Sequence, residues 1–197
     1  MSKPPLRFGF ATGVCGVRVT LSMIYESHYW KEPLLAAARW LSGLRLSENT
    51  RESTYVKLEK ELMLGFYSVR KLIDTIKISD STKKIKFDIL WYKNAKTVNW
   101  LNHAFIDENY DLAKSQNELR DIEFICNLFI YAYVFVVSGD GKLEGLYIST
   151  DRKKNQKVYF VPLEVILKLF RIVGRDYPSS LSFTRKQNGD LVATVGK

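Results

Sequence analysis

The sequence lacks long hydrophobic runs and has few of the residues on which special classes of protein depend. No stretch of about 18 uncharged apolar residues occurs, which argues against a transmembrane helix. Two cysteines are too few for a disulfide scaffold or a structural zinc site. Eleven glycines and five prolines in 197 residues exclude a collagen-like or low-complexity chain. These absences predict a globular chain without a structural metal, and nothing in the sequence indicates a cofactor.

The first residues resemble a secretory signal peptide but lack its cleavage site. Lys3 and Arg7 precede an apolar run over residues 8–17, which a charged residue ends, and no small-x-small motif follows. Both cysteines, Cys15 and Cys126, lie among apolar residues, where a free thiol acts as a small hydrophobic group. The sequence therefore predicts a cytoplasmic protein.

Positive charge is in excess, because 30 lysines and arginines stand against 21 acidic residues, for a formal net charge of +9. A basic surface favours nucleic acid or an acidic protein as a partner, and it also keeps a protein soluble. The excess is divided over residues 1–49, 50–87 and 125–197, and an acidic segment at 88–124 lies between them. Spread charge of this kind is also typical of a solvated surface, so both interpretations stay open.

Two long amphipathic helices form the clearest pattern. Apolar residues recur at steps of three and four over residues 49–77 and again over residues 115–133. Ser115 and Glu118 have the spacing of a capping box, and a similar pair starts the first helix. Because an apolar stripe needs a partner to cover it, the two helices are predicted to pack against each other.

The rest of the chain alternates between apolar and polar residues, as strands do. Residues 84–92 predict a strand, and residues 94–111 predict a loop with a short helical turn that carries Trp100 and His103. The later elements are strands over 134–137, 143–149 and 157–161, a helix from Pro162 to Val173 closed by Gly174, and a hairpin of strands 181–185 and 191–195.

This order predicts an α+β protein, in which two long packed amphipathic helices are followed by an antiparallel meander with one further helix. Residues 49–197 form a single α+β domain, helical over 49–133 and mainly β over 134–197. Residues 1–48 form an N-terminal extension to it.

The extension has two parts. Residues 8–25 are rich in Gly, Val and Thr, a composition that fits one or two strands or an irregular strap. Leu34, Ala38 and Leu41 predict a short helix over residues 33–44 that Pro33 opens. The sequence leaves open whether the extension belongs to the core.

Residues 126–133, with the sequence CNLFIYAY, resemble the signature helix of HEPN-type proteins. These helical-bundle proteins include many metal-independent RNases of bacterial defence and toxin systems. Their motif is Arg, a polar residue that is often Asn, three more positions and His, often with Tyr two residues further on. Asn127 and Tyr133 match this motif, whereas Cys126 and Tyr131 stand at the Arg and His positions.

The HEPN resemblance implies a protein without catalytic activity. A thiol and a phenol, with reference pKa values of about 8.5 and about 10, poorly replace the guanidinium and imidazole groups at pH 7. The residues alone also allow a simpler interpretation, in which Cys126 belongs to the core and Asn127 and Tyr131 form a polar pair one helical turn apart.

A second segment, ELMLGFYSVRKL at residues 61–72, resembles small bacterial proteins that have no assigned activity. Asn99 and Trp100 downstream extend this resemblance. It implies a bacterial, cytoplasmic protein and no particular chemistry.

Of the two histidines, His103 has two acidic residues shortly after it. Asp107 and Glu108 follow it closely, so the three can form a base with its orienting partner, or a metal site. Three metal ligands at a recognised spacing are absent, which favours a surface histidine. The catalytic candidates are therefore these three residues together with Asn127 and Tyr131.

Two basic clusters at predicted turn–strand edges are the candidate nucleic-acid-binding residues. They are Lys83, Lys84 and Lys86, and Arg152, Lys153, Lys154 and Lys157. The tyrosines near them, Tyr92, Tyr147 and Tyr159, are candidates to stack on single-stranded bases. If the second cluster contacts four phosphates, the log–log salt slope of binding is about −3 to −4. Lysines at strand edges also block unwanted strand pairing, which is the alternative role.

Taken together, the sequence favours a non-enzymatic bacterial protein that contacts nucleic acid or a nucleoprotein partner in a defence or mobile-element setting. Two alternatives stay open: an enzyme with a site near His103, Asp107 and Glu108, and a purely structural interaction module. The oligomeric state is left open as well.

Overall fold

The computed structural model describes residue 24 and residues 26–197. The strap or strands predicted over residues 8–25 lie outside these residues, apart from Ile24. The described helices are α1 (His28–Gly43), α2 (Glu52–Asp74), α3 (Asp80–Lys83), α4 (Ile106–Asn109), α5 (Ile122–Ile130) and α6 (Leu163–Gly174). The strands are β1 (Lys86–Asn94), β2 (Tyr110–Asp121), β3 (Ala132–Ser138), β4 (Gly145–Thr150), β5 (Lys157–Pro162), β6 (Ser180–Arg185) and β7 (Leu191–Gly196).

The α+β prediction is confirmed. Five strands form an antiparallel sheet in the order β2-β1-β5-β4-β3, and β6 and β7 form a separate two-stranded hairpin. The meander and the final hairpin were both expected from their alternating patterns. Gly141 and Gly189 have positive φ values of 67° and 88° in the predicted turns, a conformation that glycine adopts without strain.

The two faces of the five-stranded sheet have different coverings. Helices α5 and α6 pack on the inner face, where Phe87, Ile89 and Ile148 join the main hydrophobic core, and α2 packs against these helices. On the outer face, Val98 and Ile106 from the β1–β2 connection cover part of a second, smaller apolar cluster. The two clusters follow from the alternation of side chains along each strand.

The predicted packing between the first two long helices is confirmed for α2 and α5. The Phe66 ring stacks on Phe129 with 3.7 Å between the ring centroids, and Phe170 of α6 lies 5.0 Å from Phe66. Gly65 allows this close approach, because a Cβ at this position would collide with the Phe170 ring. The stripe of α2 is thus covered by α5 and α6, and α1 packs against α2 as well.

The helix predicted over residues 115–133 is wrong at both ends, since α5 ends at Ile130 and residues 132 and 133 begin β3. Residues 115–121 belong to β2, and the helix begins only at Ile122, where the Asp121 side chain accepts a hydrogen bond from the Phe124 backbone N–H (2.8 Å). The capping box at Ser115 therefore does not form. Residues 115–121 are mostly polar, so a helix there would bury little, whereas a strand satisfies the backbone of β1 along the sheet edge.

The N-terminal helix is longer than predicted. It begins at His28, and Pro33 lies inside it instead of opening it. Because the helix starts earlier in the chain, it includes Lys31, which is buried. The Lys31 ammonium group donates hydrogen bonds to the backbone oxygens of Lys77 and Asp176. Leu34 and Leu41 are buried in the same core as α2, α5 and α6, so this part of residues 1–48 packs into the core formed by the rest of the chain.

Gly174 lies at the end of α6, as predicted, but it does not act as the predicted C-cap. It is the last residue of the helix and has no positive φ. A Cβ at this position would lie 2.7 Å from Leu35 Cδ2, so glycine is needed where α1 crosses the end of α6.

A buried polar cluster joins distant parts of the chain. The Asp176 carboxylate accepts hydrogen bonds from the Ser79 backbone N–H (2.9 Å) and hydroxyl (2.8 Å). Burial opposes ionisation of Asp176, but hydrogen bonds from Thr82 and Ser79 outweigh it and hold the pKa of the carboxyl group below its usual value. Burial lowers the pKa of Lys31, and the nearby Asp176 carboxylate opposes that shift. The cluster connects α1, the start of α3 and the chain after α6.

Candidate nucleic-acid interface

Two connections meet at one end of the five-stranded sheet. The β1–β2 connection (residues 95–109) lies against the β4–β5 turn (residues 151–156). The Val98 backbone N–H donates to Asn155 Oδ1 (2.7 Å), and the Tyr110 hydroxyl donates to the Lys154 backbone oxygen (2.8 Å). We call this region the aromatic end.

Asparagine side chains fix the shape of the β1–β2 connection. Asn102 donates from its amide nitrogen to the Thr97 backbone oxygen (2.9 Å) and accepts from the Asn99 backbone N–H (2.7 Å). Asn109 donates to the Asn102 backbone oxygen (2.6 Å). Such side-chain-to-backbone bonds hold a turn without regular secondary structure. Trp100, within this turn, is therefore presented from an ordered support.

Trp100 is the most prominent side chain of the aromatic end. Its residue is 74% exposed, although a tryptophan usually buries its ring. The ring lies 4.8 Å from the Tyr133 ring and 5.9 Å from the His103 ring, measured between centroids. The Lys154 ammonium group lies 3.5 Å from the Tyr133 centroid, as in a cation–π contact, and pairs with Asp151 at 2.7 Å. Trp100 thus contacts two rings at an angle and leaves much of its surface open.

Tyr131 adds a second exposed ring next to this group. It is 66% exposed at the C-cap of α5, and with Asp151 and Arg152 it lines a cleft of about 570 Å³. The predicted stacking residues are less accessible, because Tyr159 is fully buried and Tyr92 is buried in the outer cluster. The available signal for Trp100 was its position in a segment without strand or helix periodicity, with Asn99 before it and Asn102 two residues after it.

The predicted catalytic group does not assemble in the described part of the chain. His103 Nδ1 contacts the Trp100 backbone oxygen (2.9 Å), and no hydrogen bond or ion pair joins it to Asp107 or Glu108. Glu108 instead pairs with Lys96 at 3.0 Å. Asp107 is exposed. The ring of His103 is therefore part of the aromatic group around Trp100.

The second basic cluster divides into paired and unpaired residues. Lys157 is ion-paired with Glu118 (3.3 Å), and its ammonium group lies 4.4 Å from the Trp91 centroid, so its charge is already neutralised. Lys154 is paired with Asp151, as described above. Arg152 and Lys153 form no ion pair with any residue that the structure describes. These two are the cations of the aromatic end that are open to an external anion.

The first basic cluster lies elsewhere. Lys86 begins β1, whereas Lys93 near the end of this strand pairs with Lys157 across the sheet. At about 3.3 Å per residue, the two clusters are separated by about 23 Å along β1. Lys83 is paired with Asp80 (3.3 Å), and Lys84 and Lys86 are exposed. The seven predicted residues thus form two surfaces at opposite ends of the sheet.

The residues of the HEPN resemblance lie on α5 and just after it. Cys126 is buried in the core, and Asn127 Oδ1 is 3.4 Å from the Arg70 guanidinium. Arg70 also contacts Glu123 at 2.6 Å and Asp74 at 3.1 Å, so two carboxylates neutralise it. The side chains of Asn127 and Tyr131 form no hydrogen bond to each other among the described contacts. The resemblance itself stays a prediction.

Cys126 is expected to be unreactive. Burial raises the pKa of its thiol far above the ordinary value, and the Arg70 charge opposes that shift only in part. The thiolate that attacks thiol reagents is therefore scarce at neutral pH. Mass spectrometry after brief treatment of the folded protein with iodoacetamide should find Cys126 unmodified, and full modification should require denaturant. Rapid labelling of the folded protein at Cys126 would contradict this expectation.

The described residues contain neither a cluster of metal-binding side chains nor a membrane-spanning helix. Among them, no group of three or more His, Cys, Asp or Glu side chains can hold a metal ion. Across residues 26–197, no helix combines the length and the apolar character that crossing a bilayer requires. Comparison with known proteins adds no assignment, since no family model, curated protein or solved structure matches this chain.

Proposed function

We propose that this protein binds single-stranded nucleic acid at the aromatic end and catalyses no reaction on it. The observation that carries the proposal is the exposed Trp100 ring, supported by Tyr133 and His103 and held by an ordered connection. Aromatic rings of this kind stack on bases, and every base offers a flat face for stacking. An acidic protein partner is the alternative occupant of the same surface.

The charges around the aromatic end support a nucleic acid over an uncharged ligand. Arg152 provides a positive charge in the same cleft as Tyr131, whose exposed ring is a second stacking surface, and Lys153 follows Arg152 in the same turn. A chain net charge of +9 attracts phosphates from a distance. The helix in the β1–β2 connection, α4, has only four residues and is too short to enter a DNA groove, so the proposal is limited to single strands without base-specific contacts.

The biological setting is part of the proposal. The resemblance of residues 126–133 to HEPN-type proteins supports a role in bacterial defence or in a mobile element, inside the cytoplasm. In this setting the protein would bind or shield a single nucleic-acid strand, because Cys126 and Tyr131 replace the Arg and His of the catalytic motif.

Trp100→Ala is expected to weaken binding to a labelled single-stranded oligonucleotide about 5- to 150-fold, the effect of losing one stacked base. Tyr29→Ala is the matched control, since Tyr29 is also an exposed aromatic (72%) but lies on α1. Fluorescence anisotropy measures both affinities. Equal affinities for Trp100→Ala and the parent protein would contradict the proposal.

The salt dependence of binding is expected to be shallow. With only Arg152 and Lys153 unpaired, the log–log slope for a single strand is about −1.4, smaller than the value for four phosphate contacts. Changing both residues to Glu should bring the slope close to zero and weaken binding to all sequences alike. The matched control changes Lys84 and Lys86 to Glu at the other end of β1. If changing Lys84 and Lys86 flattens the slope and changing Arg152 and Lys153 does not, the binding site lies at the other end of β1, and the proposal is contradicted.

A further inference from the structure

The two outer strands of the five-stranded sheet differ in chemistry. Strand β2 is rich in charge, and its five charged residues are Asp111, Lys114, Glu118, Arg120 and Asp121. Strand β3, with the sequence AYVFVVS, has no charged residue, no proline and no glycine. Only β2 therefore has the composition of a strand that is protected against pairing with another chain.

The outer side of β3 is available for hydrogen bonding. β3 pairs with β4 on its inner side, and no other described strand lies along it. Alternate backbone N–H and C=O groups of an edge strand point away from the sheet and need a partner. Phe135 and Val136 are half-buried, so the strand presents apolar side chains together with unpaired backbone groups.

We propose that β3 pairs with β3 of a second copy of this chain, in antiparallel orientation, and joins two sheets into one of ten strands. A two-fold axis near Phe135 makes each strand the complement of the other, as in most symmetric dimers. It also brings Val134 of one copy opposite Val136 of the other. Cross-strand pairs of β-branched and aromatic residues stabilise such a junction, and no like charges oppose each other within it.

Charges at the two ends of β3 support this orientation. The β3–β4 connection at one end carries Asp140, Lys142 and Glu144, and its net charge is negative. The β4–β5 turn at the other end carries Arg152, Lys153 and Lys154 against Asp151, and its net charge is positive. Antiparallel pairing brings the acidic connection of each copy beside the basic turn of its partner. Parallel pairing would bring like ends together.

The proposed dimer lies next to the proposed nucleic-acid site. Strand pairing takes place in the plane of the sheet, whereas the connection that carries Trp100 packs on the outer face. Tyr133 belongs to β3, however, and Arg152 and Lys153 lie in the turn that would face the partner's acidic connection. Separate measurements distinguish the two proposals, because the dimer is tested by mass in the absence of nucleic acid and the stacking by the affinity of Trp100→Ala.

Light scattering coupled to size exclusion is expected to give twice the chain mass of 22.8 kDa. Val136→Lys puts a charge on each side of the two-fold axis, and it should weaken the dimer at least about tenfold. Leu119→Lys is the matched control, because it adds the same charge to the opposite edge of the sheet. It should remain dimeric. A monomeric parent protein at high concentration would overturn the proposal.

Hydrogen exchange on the unmodified protein decides the case if Val136→Lys fails to fold. Alternate amides of β3 should be protected at concentrations where the dimer forms, and they should lose this protection on dilution to the monomer. Rapid exchange of these amides in the dimer would place the interface elsewhere. Protection that persists in the monomer would show that β3 is already covered within one chain. Either result overturns the proposal.

Discussion

Phe66→Ala is expected to lower the free energy of unfolding by about 3–5 kcal/mol, among the largest effects of any single substitution in this chain. Phe66 is fully buried, and its ring stacks on Phe129 and lies close to Phe170. Removal of the ring leaves a cavity at the point where α2, α5 and α6 meet. Urea denaturation followed by circular dichroism measures the change.

A matched pair of leucines on α2 supplies the control for this prediction. Leu62 is fully buried, whereas Leu64 is 64% exposed two residues later. Leu62→Ala should cost about 2–5 kcal/mol of stability. Leu64→Ala should change it by no more than about 0.5 kcal/mol. Equal costs for the two leucines would mean that the buried face of α2 is assigned incorrectly.

Asp176→Ala is expected to cost about 3–5 kcal/mol, because it removes one partner from a buried polar cluster. Ser79 loses the acceptor of two hydrogen bonds, and the buried ammonium group of Lys31 loses a nearby negative charge. The control is Asp140→Ala, which removes an exposed carboxylate in the β3–β4 connection. It should change stability by less than about 0.5 kcal/mol.

The contribution of Asp176 should depend on pH in a defined direction. Its pKa in the folded protein lies below the unfolded value of about 3.9, so the carboxylate stabilises the fold at every pH above that value. This stabilisation is lost as the pH falls through the folded pKa. The difference in stability between the parent protein and Asp176→Ala should therefore shrink below about pH 4. A difference that stays constant from pH 7 to pH 3 would show that ionisation of Asp176 does not contribute.

The sequence predicted those elements whose burial pattern is periodic. Apolar residues recur every three to four positions in helix α2 and at about every second position in the β3–β4–β5 meander, so the sequence pattern alone predicted these elements. The helix predicted over residues 115–121 rested on the cap spacing of Ser115 and Glu118, whereas these residues form a strand because they pair with β1. Pairing of this kind depends on residues about 30 positions away, and no local pattern reports it.

The candidate site was harder to predict because it depends on contacts between loops. The sequence named Arg152 and Lys153 as binding residues, but it could not show that Lys154 and Lys157 are already paired with carboxylates. It also grouped His103 with Asp107 and Glu108 by closeness in sequence. In the folded chain, the partners of His103 are the rings of Trp100 and Tyr133. Tyr133 comes from β3, far along the chain.

The most direct test of the proposed function is ultraviolet crosslinking of the protein to a single-stranded oligonucleotide that contains 4-thiouridine, followed by mass spectrometry of the peptides. The account predicts crosslinks at Trp100 and Tyr131, at the end of the sheet where residues 95–109 meet residues 151–156. Crosslinks confined to the segment around Lys84 and Lys86, or no crosslinks at low salt, would contradict it.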